Sequence, residues 1–224
     1  MQTVIFSDTH LTTRFEQDKF IFLKSIIEPA DRVIINGDFW EGRQISFNAF
    51  IESRWSLLFP LLKKRNTIYL FGNHDEKHLS DERCHIFSDE QKYEHIIMLK
   101  NNTLFIEHGH NLNLRYKKIT YSKLGKAIAK SVFISKQLEN IERFSLKKHQ
   151  KPLFVKSGRR LNKKIKVLVH DQLEKDMIYV CGHTHVAEAD TDEMFLNIGS
   201  IQHGKGEYLL IQDDVFFLKQ CWYG

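Results

Sequence analysis

The chain has 224 residues and 42% hydrophobic content, enough to fill the core of one sizeable domain or of one domain with an insertion. No apolar run approaches the roughly 20 residues needed to cross a bilayer, and Met1-Gln2-Thr3 lacks the charged start and long apolar stretch of a secretion leader, so neither a membrane-spanning nor an exported protein is expected. Cys84, Cys181 and Cys221 are odd in number, far apart and outside any metal-ligand spacing, which suits reduced thiols in the cytoplasm.

The net charge of +5 hides a division within the chain. Residues 109–170 hold 17 of the 33 Lys/Arg but only Glu139 and Glu142 of the 28 Asp/Glu, a balance of +15, which leaves −10 for the rest. Such a block marks either a surface for an anionic partner (phosphate, nucleic acid or acidic lipid) or a solvated helical face.

Taken in order, residues 2–6 (Gln2 to Phe6) form a short β-prone run that ends in Ser7-Asp8-Thr9-His10. In extended backbone, residues two apart share a side, so Asp8 and His10 are expected to converge as half of a metal site. Phe15, Phe20, Leu23, Ile26 and Ile27 then suit a helix packed on a sheet. A second buried strand, 32–36, ends in Gly37-Asp38, where Gly37 permits close backbone approach. Phe47, Phe50, Ile51, Trp55, Leu58 and Leu62 have helical spacing and predict a single helix over 47–62.

A third apolar run, Ile68-Tyr69-Leu70-Phe71, delivers Gly72-Asn73-His74-Asp75 at its C-terminal end, where open α/β sheets keep their sites. Asn73 offers a neutral oxygen, His74 a proton donor, and Asp75 a partner to fix the ring of His74. Residues 76–95 are polar, and His78, His85 and His95 have no ligand spacing. A hairpin is predicted over 96–107, running into His108-Gly109-His110. A strand over 177–181 ends in Gly182-His183-Thr184-His185, and further strands are expected over 195–200, 208–212 and 215–218. The order of elements predicts two mixed sheets with outer helices.

Between them, Leu124, Ile128 and Val132, then Leu138, Ile141 and Phe144, then Leu161, Ile165 and Leu168 are spaced for helices, with lysines on the other faces. Residues 112–170 are therefore expected to be a basic helical cap inserted into a core made of 1–111 and 171–224. Lys123, Lys126, Lys130, Arg159 and Arg160 are its candidate substrate contacts.

Collected, the strand ends supply Asp8, His10, Asp38, Asn73, His108, His183 and His185. Two carboxylates, four imidazoles and an amide without thiolates suit two divalent transition metals such as Mn²⁺, Fe²⁺ or Zn²⁺. The five blocks Asp8-Thr9-His10, Gly37-Asp38, Gly72-Asn73-His74-Asp75, His108-Gly109-His110 and Gly182-His183-Thr184-His185 resemble, in order, those of the calcineurin-like metallophosphoesterases. That resemblance implies a four-layer α/β/β/α fold and two metal ions, with Mn²⁺ the first choice. It gives Asp8, His10, Asp38 and His185 to one ion and Asp38, Asn73, His108 and His183 to the other, Asp38 bridging. Water activated by the pair would attack phosphorus in line. His74, oriented by Asp75, would protonate the leaving oxygen or stabilise the transition state, and His110 would line the site.

The basic insertion after the fourth block is similar to the cap of UDP-2,3-diacylglucosamine pyrophosphate hydrolases, which implies an amphiphilic pyrophosphate and peripheral contact with the inner membrane surface. Those enzymes usually carry Arg where this chain has His74, and their last block differs around Asn197. A soluble nucleotide phosphodiesterase, a nuclease and a protein phosphatase are the alternatives within the family. A non-catalytic nucleic-acid-binding protein is the alternative outside it.

Overall fold

The computed structural model describes residues 1–110, 112, 155–170, 173–174 and 176–224. Strands β1 (Gln2–Phe6), β2 (Arg32–Asn36), β3 (Ile68–Leu70) and β4 (Glu90–Lys92) lie side by side and parallel. A second, five-stranded sheet runs in the order β5 (Glu94–Met98), β6 (Thr103–Glu107), β7 (Met177–Cys181), β9 (Phe195–Asn197), β8 (Glu188–Asp190). On the far side of β1, β11 (Lys205–Gln212) pairs antiparallel and joins β10 (Ile201–Gln202) and β12 (Val215–Trp222) to the first sheet, which has seven strands.

The two-residue side-chain period sorts each strand's apolar residues between two cores. Val4, Phe6, Val33, Ile35 and Tyr69 face helices α1 (Gln17–Ile27), α2 (Phe47–Ile51) and α3 (Phe59–Lys64). The alternate residues Ile5, Ile34, Ile68 and Leu70 meet Leu104, Ile106, Ile178, Val180 and Leu196 of the second sheet. That sheet's other face carries Tyr179, Cys181 and Phe195 against Ile165 and Val169 of helix α4 (Val155–His170). These contacts make the expected four layers, α/β/β/α, and strands covered on both faces read as continuous apolar runs for that reason.

Two expectations are corrected, and one strand was missed. The single helix over 47–62 is two α-helices separated by a 3₁₀ turn, Arg54–Leu58. Ser46 accepts from the Ala49 N–H to start α2, Ser53 accepts from the Trp55 N–H to start the turn, and Pro60 sits in the first turn of α3, where its missing donor costs nothing. The apolar spacing survived because Phe47, Phe50, Trp55, Leu58 and Leu62 are all buried in spite of the breaks. Strand β8 was not foreseen, since Glu188-Ala189-Asp190 has no β-branched or aromatic residue.

The second correction concerns the insertion. Residues 155–170 form the outer layer of the second sheet rather than part of a cap, burying Gly158, Asn162, Ile165 and Val169. Helical periodicity is the same whether an apolar stripe meets a sheet or roofs a cleft. Lys123, Lys126, Lys130 and the apolar positions from Leu124 to Phe144 lie outside the described residues. Cys84 and Cys181 are buried free thiols and Cys221 is exposed. Among the described residues, no helix is long and apolar enough to cross a membrane.

Candidate metal centre

The site residues sit on loops at the C-terminal ends of β1, β2, β3, β6 and β7. Asp8, His10 and Asp38 converge as expected, but not through extended backbone: their φ angles are +54°, +45° and +52°, and those of His183 and His185 are +64° and +59°. Left-handed backbone costs a residue with a side chain about 1–2 kcal/mol, and such strain persists only where neighbours hold it. The Asp8 N–H donates to Gly37 O at 3.1 Å, the His10 N–H to Asp38 O at 3.0 Å, and the His183 N–H to Asp8 Oδ2 at 2.9 Å. Glycine is required where loops touch: a Cβ on Gly37, at φ +80°, would lie 2.6 Å from the His108 ring, and one on Gly72 would lie 2.2 Å from Asp38 Oδ1.

The donor atoms point inward at one another. His185 Nε2 lies 3.0 Å and His10 Nε2 3.7 Å from Asp8 Oδ1, and the two ring nitrogens are 3.3 Å apart. His10 Nε2 is also 3.6 Å from Asp38 Oδ2. On the other side of Asp38, His108 Nε2 is 3.3 Å from Oδ2 and 3.2 Å from Asn73 Oδ1. The rings of His183 and His110 pack beside His108, at centroid separations of 5.3 and 5.5 Å. Asp8, Asp38 and His108 are buried, while the His185 side chain is 43% and the His74 side chain 22% exposed, so the cluster opens on their side.

These residues fit bound cations. His108 Nδ1 donates to Asn36 O at 2.8 Å and His10 Nδ1 to Glu41 Oε2 at 2.9 Å, so in the neutral rings each Nε2 lone pair is aimed at oxygen atoms that can only accept. Fully buried Asp8 Oδ1 accepts no well-formed hydrogen bond. Lone pairs that face lone pairs in a buried site call for positive charge between them. The protonation equilibria have the same sense. Burial opposes charge on His108, yet Asp38 and Asp8 push its pKa up to about 10. Burial likewise opposes ionisation of Asp8, but His185 and His108 hold it below the usual carboxylate range. Asp38 is also held low, chiefly by His108 and His74 against its burial.

One residue does not do what the sequence suggested, and another was missed. Asp75 does not orient His74; its carboxylate accepts from the N–H groups of Asp38 (3.0 Å), Phe39 (2.6 Å) and Gly72 (2.7 Å), tying the second and third loops together. The ring of His74 is held by Glu41, whose carboxylate lies 2.7 Å from Nδ1. Glu41 is buried and touches both His10 and His74, whose pKa burial lowers. Opposed to burial, those two imidazoles pull Glu41 down to about 2. Sequence reasoning missed it because only the loop Phe39-Trp40-Glu41-Gly42 brings it back; its one signal is a carboxylate set between a large aromatic residue and glycine. Arg159 and Arg160 are exposed on α4, and Arg159 borders a groove of about 560 Å³ with Lys163, Lys166, Glu188, Asp190 and Glu193, none of them a candidate ligand.

A four-layer sandwich whose strand ends gather carboxylates, imidazoles and an amide in this way defines a metal-dependent phosphoesterase. The calcineurin-like phosphoesterase superfamily domain matches residues 1–212, and the chain belongs to that family. No curated protein matches it significantly. Among solved structures it is similar to a phosphoesterase, YfcE, from E. coli, at 16% identity and a TM-score of 0.48 over 100% of both chains. It is similar to an archaeal phosphodiesterase at 18% identity and a TM-score of 0.46, covering 99% of this chain and 100% of that one. A Vps29 mutant from Entamoeba histolytica is similar at 14% identity and a TM-score of 0.48, again over 100% of both chains.

Proposed function

We propose that the protein hydrolyses a phosphodiester or pyrophosphate bond at a two-metal site. Asp8, His10, Asp38 and His185 would hold one ion and Asp38, Asn73, His108 and His183 the other. When bound, the ions supply an acidified water and neutralise charge on the transferring phosphoryl group. The rest of the chemistry falls to the chain. Asp38 is shared, its backbone N–H held by Asp75 and its Oδ1 accepting from the His74 N–H at 2.8 Å. His74 donates through Nδ1 to Glu41, so its Nε2 is the atom left to face the substrate; as an imidazolium, held by the Glu41 carboxylate against the cost of burial, it would pass its Nε2 proton to the leaving oxygen or stabilise charge there. The observation that carries this reading is the Glu41–His74 pair: a partly exposed acid, fixed from behind, at the open side of a buried ligand cluster.

The proposed substrate is an anionic, amphiphilic phosphoester such as UDP-2,3-diacylglucosamine. Support comes from the +15 balance of residues 109–170, in which Lys/Arg alternate with apolar residues. Mn²⁺ is the proposed ion, and the proposed location is the cytoplasm with peripheral contact at the inner membrane surface. A screen of Mn²⁺-loaded protein against UDP-2,3-diacylglucosamine, cyclic nucleotides, mononucleotides and RNA tests the substrate. Turnover of the lipid well above the others is expected; preference for a cyclic nucleotide or RNA would replace it. Failure to hydrolyse bis(p-nitrophenyl) phosphate would remove the phosphodiesterase reading altogether.

A further inference from the structure

The loop that carries His183 and His185 is gripped from the side away from the ligand cluster by a residue of the outer helix. Asn162 of α4 is fully buried on an otherwise apolar stripe. Its Nδ2 donates to Val186 O at 3.1 Å and to Glu188 Oε2 at 2.8 Å. Its Oδ1 accepts from Thr184 Oγ1 at 2.7 Å and from Asn197 Nδ2 at 3.0 Å. Those are all the hydrogen bonds a carboxamide can make, two given and two received. One turn earlier on the same face, Gly158 lets the helix approach the loop, since a Cβ there would lie 2.4 Å from Val186 Cγ2 and 2.8 Å from Thr184 O. Asn197 completes the clamp by donating to Gly182 O at 2.7 Å.

Thr184 stands between the two imidazole residues, both in left-handed backbone. That conformation relaxes unless something outside the loop fixes it. A carboxamide buried in a hydrophobic layer costs stability unless it is fully bonded, and here every bond goes to the ligand loop or its neighbours. We infer that Asn162, acting through Thr184, is a positioning residue for the metal centre: α4 sets the backbone from which His183 and His185 reach their ions.

The inference rests on the metal-centre reading, so its test reads ion binding directly. Mn²⁺ affinity, by competition with a chelating dye, and ions per chain are measured for the full-length protein and for Asn162→Ala, Thr184→Val, Thr184→Ser and Ile165→Ala. Melting temperature is recorded in chelator. Asn162→Ala and Thr184→Val are expected to weaken Mn²⁺ binding by roughly 10–100-fold, the usual effect of removing a group that orients metal ligands. Thr184→Ser keeps the hydroxyl and should restore the affinity. Ile165→Ala loosens α4 without touching the clamp, so it should lower the melting temperature and leave the affinity unchanged. If Thr184→Val and Asn162→Ala melt early but bind Mn²⁺ like the unaltered chain, the clamp is structural and the inference fails. If Asn162→Ala does not fold, the Thr184 pair decides alone. An unaltered chain that binds no Mn²⁺ would overturn the metal-centre reading itself, and this inference with it.

Discussion

The two sheets contribute unlike halves to the site. The first sheet supplies both candidate ligand carboxylates, Asp8 and Asp38, and holds its loops with more carboxylates: Asp75 on three backbone N–H groups, Glu41 on two imidazoles. The second sheet supplies imidazoles, His108, His183 and His185, which are held by neutral groups: the first sheet's Asn36 O in front, and behind them the amides of Asn197 and of Asn162 on α4. The carboxylate charge of the cluster is thus concentrated on one sheet. The halves are joined by short links, the His183 N–H on Asp8 Oδ2 at 2.9 Å and Asn36 Nδ2 on Glu107 O at 3.0 Å. The anionic half should therefore dominate affinity, and the neutral half should tune geometry.

Asp38→Ala should do the greatest damage, because the proposed assignment gives one carboxylate to both ions; losses beyond the ~100-fold that orienting groups command are expected in rate, with ion content falling in parallel. Two ions per chain and near-normal turnover in that variant would remove the shared-carboxylate assignment. Next comes His74→Ala, which should keep both ions yet lower turnover by roughly 10²–10⁴-fold. The loss should shrink for esters with good leaving groups; equal losses for nitrophenyl and alkyl esters would assign His74 to charge stabilisation alone. Glu41→Gln keeps the shape but removes the charge shared by His10 and His74, so a loss of about 10–100-fold is expected in both Mn²⁺ affinity and turnover. A drop in turnover with unchanged affinity would restrict Glu41 to His74.

The smallest effects belong to exposed cations. Arg159→Ala and Arg160→Ala should change hydrolysis of bis(p-nitrophenyl) phosphate by less than about 3-fold, since solvated charges act only through screened attraction. For an amphiphilic natural substrate, kcat/KM should fall with ionic strength while the small ester hardly responds. Shortening residues 115–150, which spares α4, should raise KM for that substrate far more than for the small ester. Equal effects on both would detach the basic stretch from substrate selection.

What was legible in the sequence follows from where each residue stands. Asp8, Asp38, Asn73, His108, His183 and His185 end apolar strand runs, and a strand end is a fixed address. Glu41 stands five residues past the end of β2, and no period links it to His10 or His74. Asp75 was legible as a site residue but not in its role, because a carboxylate beside a histidine in sequence is not necessarily beside it in space. The layered fold was readable from apolar runs covered on both faces. The place of α4 was not, since Gly158, Asn162, Ile165 and Val169 show a helical stripe without saying what it meets. Asn162 was the one clue: a carboxamide on an apolar stripe needs partners, and its partners are the ligand loop.

The claim that both sheets build a dinuclear centre is tested most directly by anomalous scattering from crystals of the full-length protein grown with Mn²⁺. The account predicts two peaks about 3.5–4 Å apart, one among Asp8, His10, Asp38 and His185, the other among Asp38, Asn73, His108 and His183. A single peak on the first-sheet residues alone, or one held by His10, Glu41 and His74, would contradict it.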